Sequence, residues 1–136
     1  MPAAKLHFLT RFVQSQHYFI AMTLELSDLD MIKNNALKKF EERVGSARDN
    51  PEEIERELFR LESQLEQLYS FTAAGARREP DVTRTAELWD GFVKTCDLFA
   101  GRIFQLSQQY SLGTAAYDSI LDIRGAAEEL RALHSP

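Results

Sequence analysis

Apolar positions recur along most of this chain at steps of three and four. The clearest run is "DNPEEIERELFRLESQLEQLYSFTAAG", where Ile54, Leu58, Leu61, Leu65 and Leu68 follow one another at steps of 4, 3, 4 and 3. That spacing keeps every member on one face of a helix, as in a coiled-coil seam. Asn50 is placed as the N-cap, Pro51 as the first helical residue and Glu53 as the partner of a capping box. Glu52 and Glu53 also complement the positive end of the helix dipole. The pattern predicts a helix from Pro51 that runs out near Ala73–Gly75.

The next segment, "PDVTRTAELWDGFVKTCDLFAGRIFQLSQQYSLG", carries two overlapping stripes. One is Val82, Ala86, Trp89, Val93, Cys96, Ala100 and Ile103; the other is Leu88, Phe92, Phe99, Ile103, Leu106 and Tyr110. A helix apolar over so wide an arc is expected to be covered on two sides, by its own bundle or by a second subunit. Gly91 and Gly101 lie inside it at a cost in helix propensity and are candidates for close helix approach.

The first segment is doubled in the same way. Leu6, Leu9, Val13, Ile20 and Leu24 form one stripe, and Phe8, Phe12, Phe19, Met22 and Leu26 form another. Ser27–Asp30 resembles a capping box, which breaks the chain near Ser27 and starts a second helix through Val44, ended by Gly45. The alternative is one kinked helix from residue 4 to 44. The last helix begins near Thr114 and carries Tyr117, Ile120, Leu121, Ile123, Ala127 and Leu130. No stretch alternates with a period of two for long enough to be a strand. The expected fold is therefore all-α: an antiparallel bundle of four long or five shorter helices, forming one domain over residues 1–136.

Composition narrows the function classes. The 136 residues hold only 6 glycines and 4 prolines, with 44% hydrophobic and 27% charged side chains, as expected of a folded domain. The net charge of −5 argues against a nucleic-acid partner, which asks for a basic surface. The imbalance sits in residues 49–75, with two basic against seven acidic side chains. Arg11, Gln14, Gln16 and His17 interrupt the first apolar segment, which excludes it as a membrane span and as a signal peptide. A lone cysteine, Cys96, rules out an internal disulfide and fits a reducing compartment, so a cytoplasmic protein is expected.

Candidate chemistry is sparse. No Glu-x-x-His pair occurs, and neither His7 nor His17 has a carboxylate or histidine three or four residues away, so no metal site or cofactor is expected. His17 falls between Val13 and Ile20 and reads as a polar ring at a core margin. Cys96, mid-helix on the apolar stripe, reads as a structural thiol. Phosphate-binding loops and nucleophile elbows are absent. The stretch "TAAGARREP" at 72–80 reads as a solvated helix end, and "KKFEERVGSAR" at 38–48 as a mixed face able to meet the acidic 52–66 helix.

These features point away from an enzyme and towards a protein–protein interaction role. Nine Phe, four Tyr and one Trp, with two doubly striped helices, supply more apolar surface than a small bundle hides. A homo-oligomer, simplest as a homodimer, is expected, with Phe8, Phe12, Phe19, Leu88, Phe99 and Leu106 at the interface. The competing reading is a ligand-binding or sensory bundle with an apolar pocket near His17, Tyr18, Trp89 and Phe92. An enzyme assembled from distant groups such as His7, His17, Glu25 or Asp90 ranks last.

Overall fold

The computed structural model describes residues 25–134, and four helices account for nearly all of them. They are α1 (Leu26–Ser46), α2 (Pro51–Arg78), α3 (Val82–Gln109) and α4 (Ala115–His134). Connections of a few residues force consecutive helices to run antiparallel. No strand occurs among the described residues, so the all-α bundle is the observed fold. The stripes expected over residues 4–24 lie outside the described residues.

α2 and α3 form the central pair, because each packs on all the other helices. α1 and α4 flank that pair rather than packing on each other, and α4 lies most extensively on α3. The α2 stripe of Ile54, Leu58, Leu61, Leu65 and Leu68 is buried as its spacing predicts, and Phe71 extends it. Most of both α3 stripes is buried too, Leu88, Phe99 and Leu106 from one and Trp89, Val93 and Cys96 from the other, whereas Val82 at the first turn is exposed. α1 adds Leu29, Ile32, Phe40 and Val44; α4 adds Ala116, Ile120 and Ala127. At about 1.5–3 kcal/mol for each large apolar side chain removed from water, this burial outweighs every surface contact.

Helix ends depart from the sequence expectation in three places. α1 starts two residues early. Glu25 is extended (φ −114°, ψ 165°), and its N–H donates to Asp28 Oδ2 at 2.8 Å. Asp28, buried, therefore holds the cap position expected of Asp30, which instead accepts from Lys33 Nζ at 2.7 Å. The extended Glu25 also ends the reading of one helix through residue 25. α1 next runs through Gly45 to Ser46, with Ala47 N–H bonded to Arg43 O at 3.0 Å. α2 continues past Gly75 to Arg78, since Phe71 and Thr72 are still buried and Thr72 Oγ1 donates to Leu68 O. Its start is as expected: Asn50 Oδ1 accepts from Glu53 N–H at 3.3 Å.

α3 ends in a Schellman motif. Leu112 N–H donates to Ser107 O at 2.8 Å and Ser111 N–H to Gln108 O at 3.3 Å, while Leu112 packs on the core. The left-handed position belongs to Ser111 (φ 55°), not to Gly113. Tyr110 OH then donates to Arg48 O at 2.9 Å and pins the α1–α2 connection to this end of α3.

A side chain in the left-handed region costs about 1–2 kcal/mol, partly offset by the greater freedom of glycine in the unfolded chain. Ser111→Gly is therefore expected to stabilise the fold by roughly 0.5–1 kcal/mol and raise Tm by a few degrees. A melting curve left unchanged or shifted down contradicts the motif.

Candidate functional site

Among the described residues, the flanking placement of α1 and α4 leaves the outer arc of α3 uncovered over its first half. The result is an open groove of about 990 Å³. Ala86, Glu87, Gly91, Lys94 and Leu98 of α3 make its floor; Leu26, Ser27, Asp30 and Lys33 of α1 make one wall, and Arg131 of α4 stands on the other side. Gly91 sets how close α1 comes. A Cβ there would lie 2.6 Å from Leu26 Cδ1, whereas a Cβ at Gly101 meets nothing within 4 Å. Of the two interior glycines on α3, only Gly91 serves a close approach.

Charge lines the groove in paired form. Lys94 Nζ lies 3.0 Å from Asp90 Oδ2, and Arg131 Nη1 lies 2.9 Å from Asp90 Oδ1. The two cations, Lys94 foremost, hold the Asp90 carboxyl below the ordinary carboxylate range. Asp30 is bonded to Lys33. Glu87 makes no ion pair among the described residues. Leu26 and Leu98, each 47% exposed, give the groove its apolar content.

The α3–α4 seam is built on a seven-residue register. Asp90 meets Arg131, Asp97 meets Arg124 at 2.5 Å, and the Phe104 ring meets Tyr117 at 5.2 Å between centroids. Phe104 (41% exposed) and Leu121 (40%) lie at the outer end of this seam, Phe104 against the Tyr117 ring and Leu121 one helical turn beyond Tyr117 on α4. The sequence stripes leave Phe104 unassigned and place Leu121 among the apolar positions of the last helix. The readable signal was the equal seven-residue spacing of Asp90, Asp97 and Phe104 against Tyr117, Arg124 and Arg131.

The residues singled out from sequence fall differently. Trp89 and Phe92 are buried and close a three-ring cluster with Tyr69, at centroid distances of 5.5, 5.7 and 6.0 Å. Their faces pack on one another and on Tyr69, and neither lines the groove over α3; His17 and Tyr18 lie outside the described residues. Leu88, Phe99 and Leu106 are 3%, 1% and 1% exposed. They are core, because three helices cover α3 within one chain, and they offer no surface to a second subunit. Phe8, Phe12 and Phe19 lie outside the described residues, as does His7.

The remaining titratable groups are structural in placement. Burial, then the neighbouring Asp97, pushes the Cys96 thiol up to about 12. Glu57, buried, accepts from Arg60 Nη1 at 2.9 Å, with Arg43 of α1 at 4.0 Å. This is the meeting of the 38–48 face with the acidic helix that the sequence made possible. Glu41 of the same face holds Arg102 through two bonds of 2.6 and 2.8 Å. Glu62 accepts from Ser119 Oγ at 2.7 Å, and its hydrogen bond and charge raise the carboxyl of Glu66 one turn away. Arg77 and Arg78 occupy the last turn of α2. Among the described residues no cluster of His, Cys, Asp or Glu is placed to hold a metal ion, and no helix is long and apolar enough to cross a membrane.

Compared with known protein families, curated proteins and solved structures, the chain matches none of them.

Cys96 is expected to resist thiol reagents in the folded chain and to react only at the rate of unfolding, which timed labelling measures. Unfolding returns its pKa to the ordinary 9.0. The folded state then keeps a proton that the unfolded state releases, so stability is whole below that value and falls as pH rises towards about 12. Relative to Cys96→Ala, the loss should approach about 1.4 kcal/mol per pH unit. Fast labelling at neutral pH contradicts the buried thiol.

Proposed function

We propose that this chain is a non-catalytic helical-bundle interaction module that acts as a homo-oligomer, joined through the outer end of the α3–α4 seam. The observation that carries the reading is the apolar patch of Phe104, Tyr117 and Leu121, with Phe104 and Leu121 each about two-fifths exposed. Large apolar side chains grouped on one face favour association over solvation. The doubled stripe of α3 does not carry it, since that stripe is used inside the chain.

A second copy of the same chain is the partner these features favour. Asp97 and Arg124 border the patch and are already paired with each other, so two copies can meet there without bringing an unpaired charge to the contact. A two-fold arrangement sets each Phe104 against the partner's Tyr117 and Leu121 region. Three side chains form a small contact next to the about 800 Å² per partner of a standard interface, so a micromolar association is the expected regime. The acidic net charge speaks against a nucleic-acid partner. A cytoplasmic setting accords with the single thiol.

Light scattering coupled to size-exclusion chromatography tests the reading. The full chain is expected to run as a dimer at tens of micromolar and to shift towards monomer on Phe104→Lys, with helicity by circular dichroism unchanged. A full chain that stays monomeric at that concentration overturns the proposal.

A further inference from the structure

We propose that residues 1–24 dock, apolar side inward, in the groove over α3 between α1 and α4 of the same chain. The occupant is argued from where the described chain begins. Glu25 is extended, and the residue after it, Leu26, is itself part of the groove wall. Whatever precedes Glu25 therefore starts at the groove mouth.

Length and pattern fit the space. The groove floor spans residues 86–98 of α3, about 18 Å of helix axis at 1.5 Å per residue. A dozen helical residues cover that distance, leaving enough of the 24 to reverse direction. The segment carries two apolar stripes, Leu6 to Leu24 and Phe8 to Met22, and a pattern apolar over so wide an arc calls for cover on two sides. Leu26 and Leu98 in the groove are the half-exposed apolar side chains it would complete.

Charge selects the same partner. Residues 1–24 hold Lys5 and Arg11 and no acidic residue, whereas residues 25–136 hold fourteen basic against twenty-one acidic side chains. In the groove the other carboxylates, Asp30 and Asp90, are ion-paired; Glu87 is the one that makes no ion pair among the described residues. Glu87 also borders the cleft that Glu25 and Leu26 share with Arg84 and Glu79. A cation brought in by the amino-terminal segment is placed beside it. Tethering through Glu25 gives the segment a local concentration in the millimolar range, which favours the chain's own segment over that of a second copy. The docking goes beyond the association proposed above and does not depend on it.

Photo-crosslinking of the full-length chain tests this directly. Leu98→p-benzoylphenylalanine and, separately, Lys94→p-benzoylphenylalanine put the probe on the groove floor at side chains that are already exposed. Phe59→p-benzoylphenylalanine, at an exposed position of α2 that does not line the groove, is the control. Irradiation followed by digestion and mass spectrometry is expected to join both groove probes to peptides within residues 1–24 at monomer mass, and the control to neither. Crosslinks to that segment at dimer mass assign the groove to a second copy and overturn the proposal. So do groove probes that leave residues 1–24 unlabelled. A chain found monomeric by light scattering removes the association reading and leaves this result intact.

Discussion

The structure depends on the meeting of two unequal apolar surfaces, the narrow stripe of α2 and the wide arc of α3. A heptad-like stripe such as Ile54 to Leu68 can cover only one side of a neighbour. α3 is apolar over far more of its circumference, so the pair alone leaves greasy surface on both margins. α1 and α4 take up those margins, one on each side, and the fold follows from that requirement.

The two flanking helices are held by different means. α1 buries Leu29, Ile32, Phe40 and Val44 and adds the paired bonds between Glu41 and Arg102. α4 buries fully only Ala116, Ile120 and Ala127 but runs a register of ion pairs and rings along α3. Exposed ion pairs are worth about 0.2–1 kcal/mol each, so they fix alignment more than they add stability. Small buried residues on α4 let it lie close to α3, which accounts for the extent of that contact. Because the two flanks barely meet, the described helices leave part of the outer arc of α3 open, and that opening is the groove.

How much of this was legible in the sequence varies by element. The α2 helix was readable at its start and along its face, since Asn50, Pro51 and Glu53 are local signals and the leucines are evenly spaced. The α1 start was misplaced because Glu25–Asp28 and Ser27–Asp30 share the same spacing of three; burial of Asp28 and the Lys33–Asp30 pair decide between them, and both are tertiary or neighbouring effects. The width of the α3 arc was legible, but not what covers it. Stripes look the same whether three helices of one chain or a second subunit bury them. Gly91 and Gly101 are likewise equal in sequence, and only the position of Leu26 separates them. The candidate site was the least legible part, because a groove is defined by where neighbouring helices leave a third uncovered.

Native-state hydrogen exchange of the full chain tests the dependence on the α2–α3 pair most directly. Amides are protected according to the free energy of the opening that frees them. The slowest should fall in residues 58–68 of α2 and 92–106 of α3 and exchange only with global unfolding, while those of α1 and α4 open earlier by sub-global steps. Slowest exchange confined to α1 or α4, with the α2–α3 amides freed first, contradicts the account.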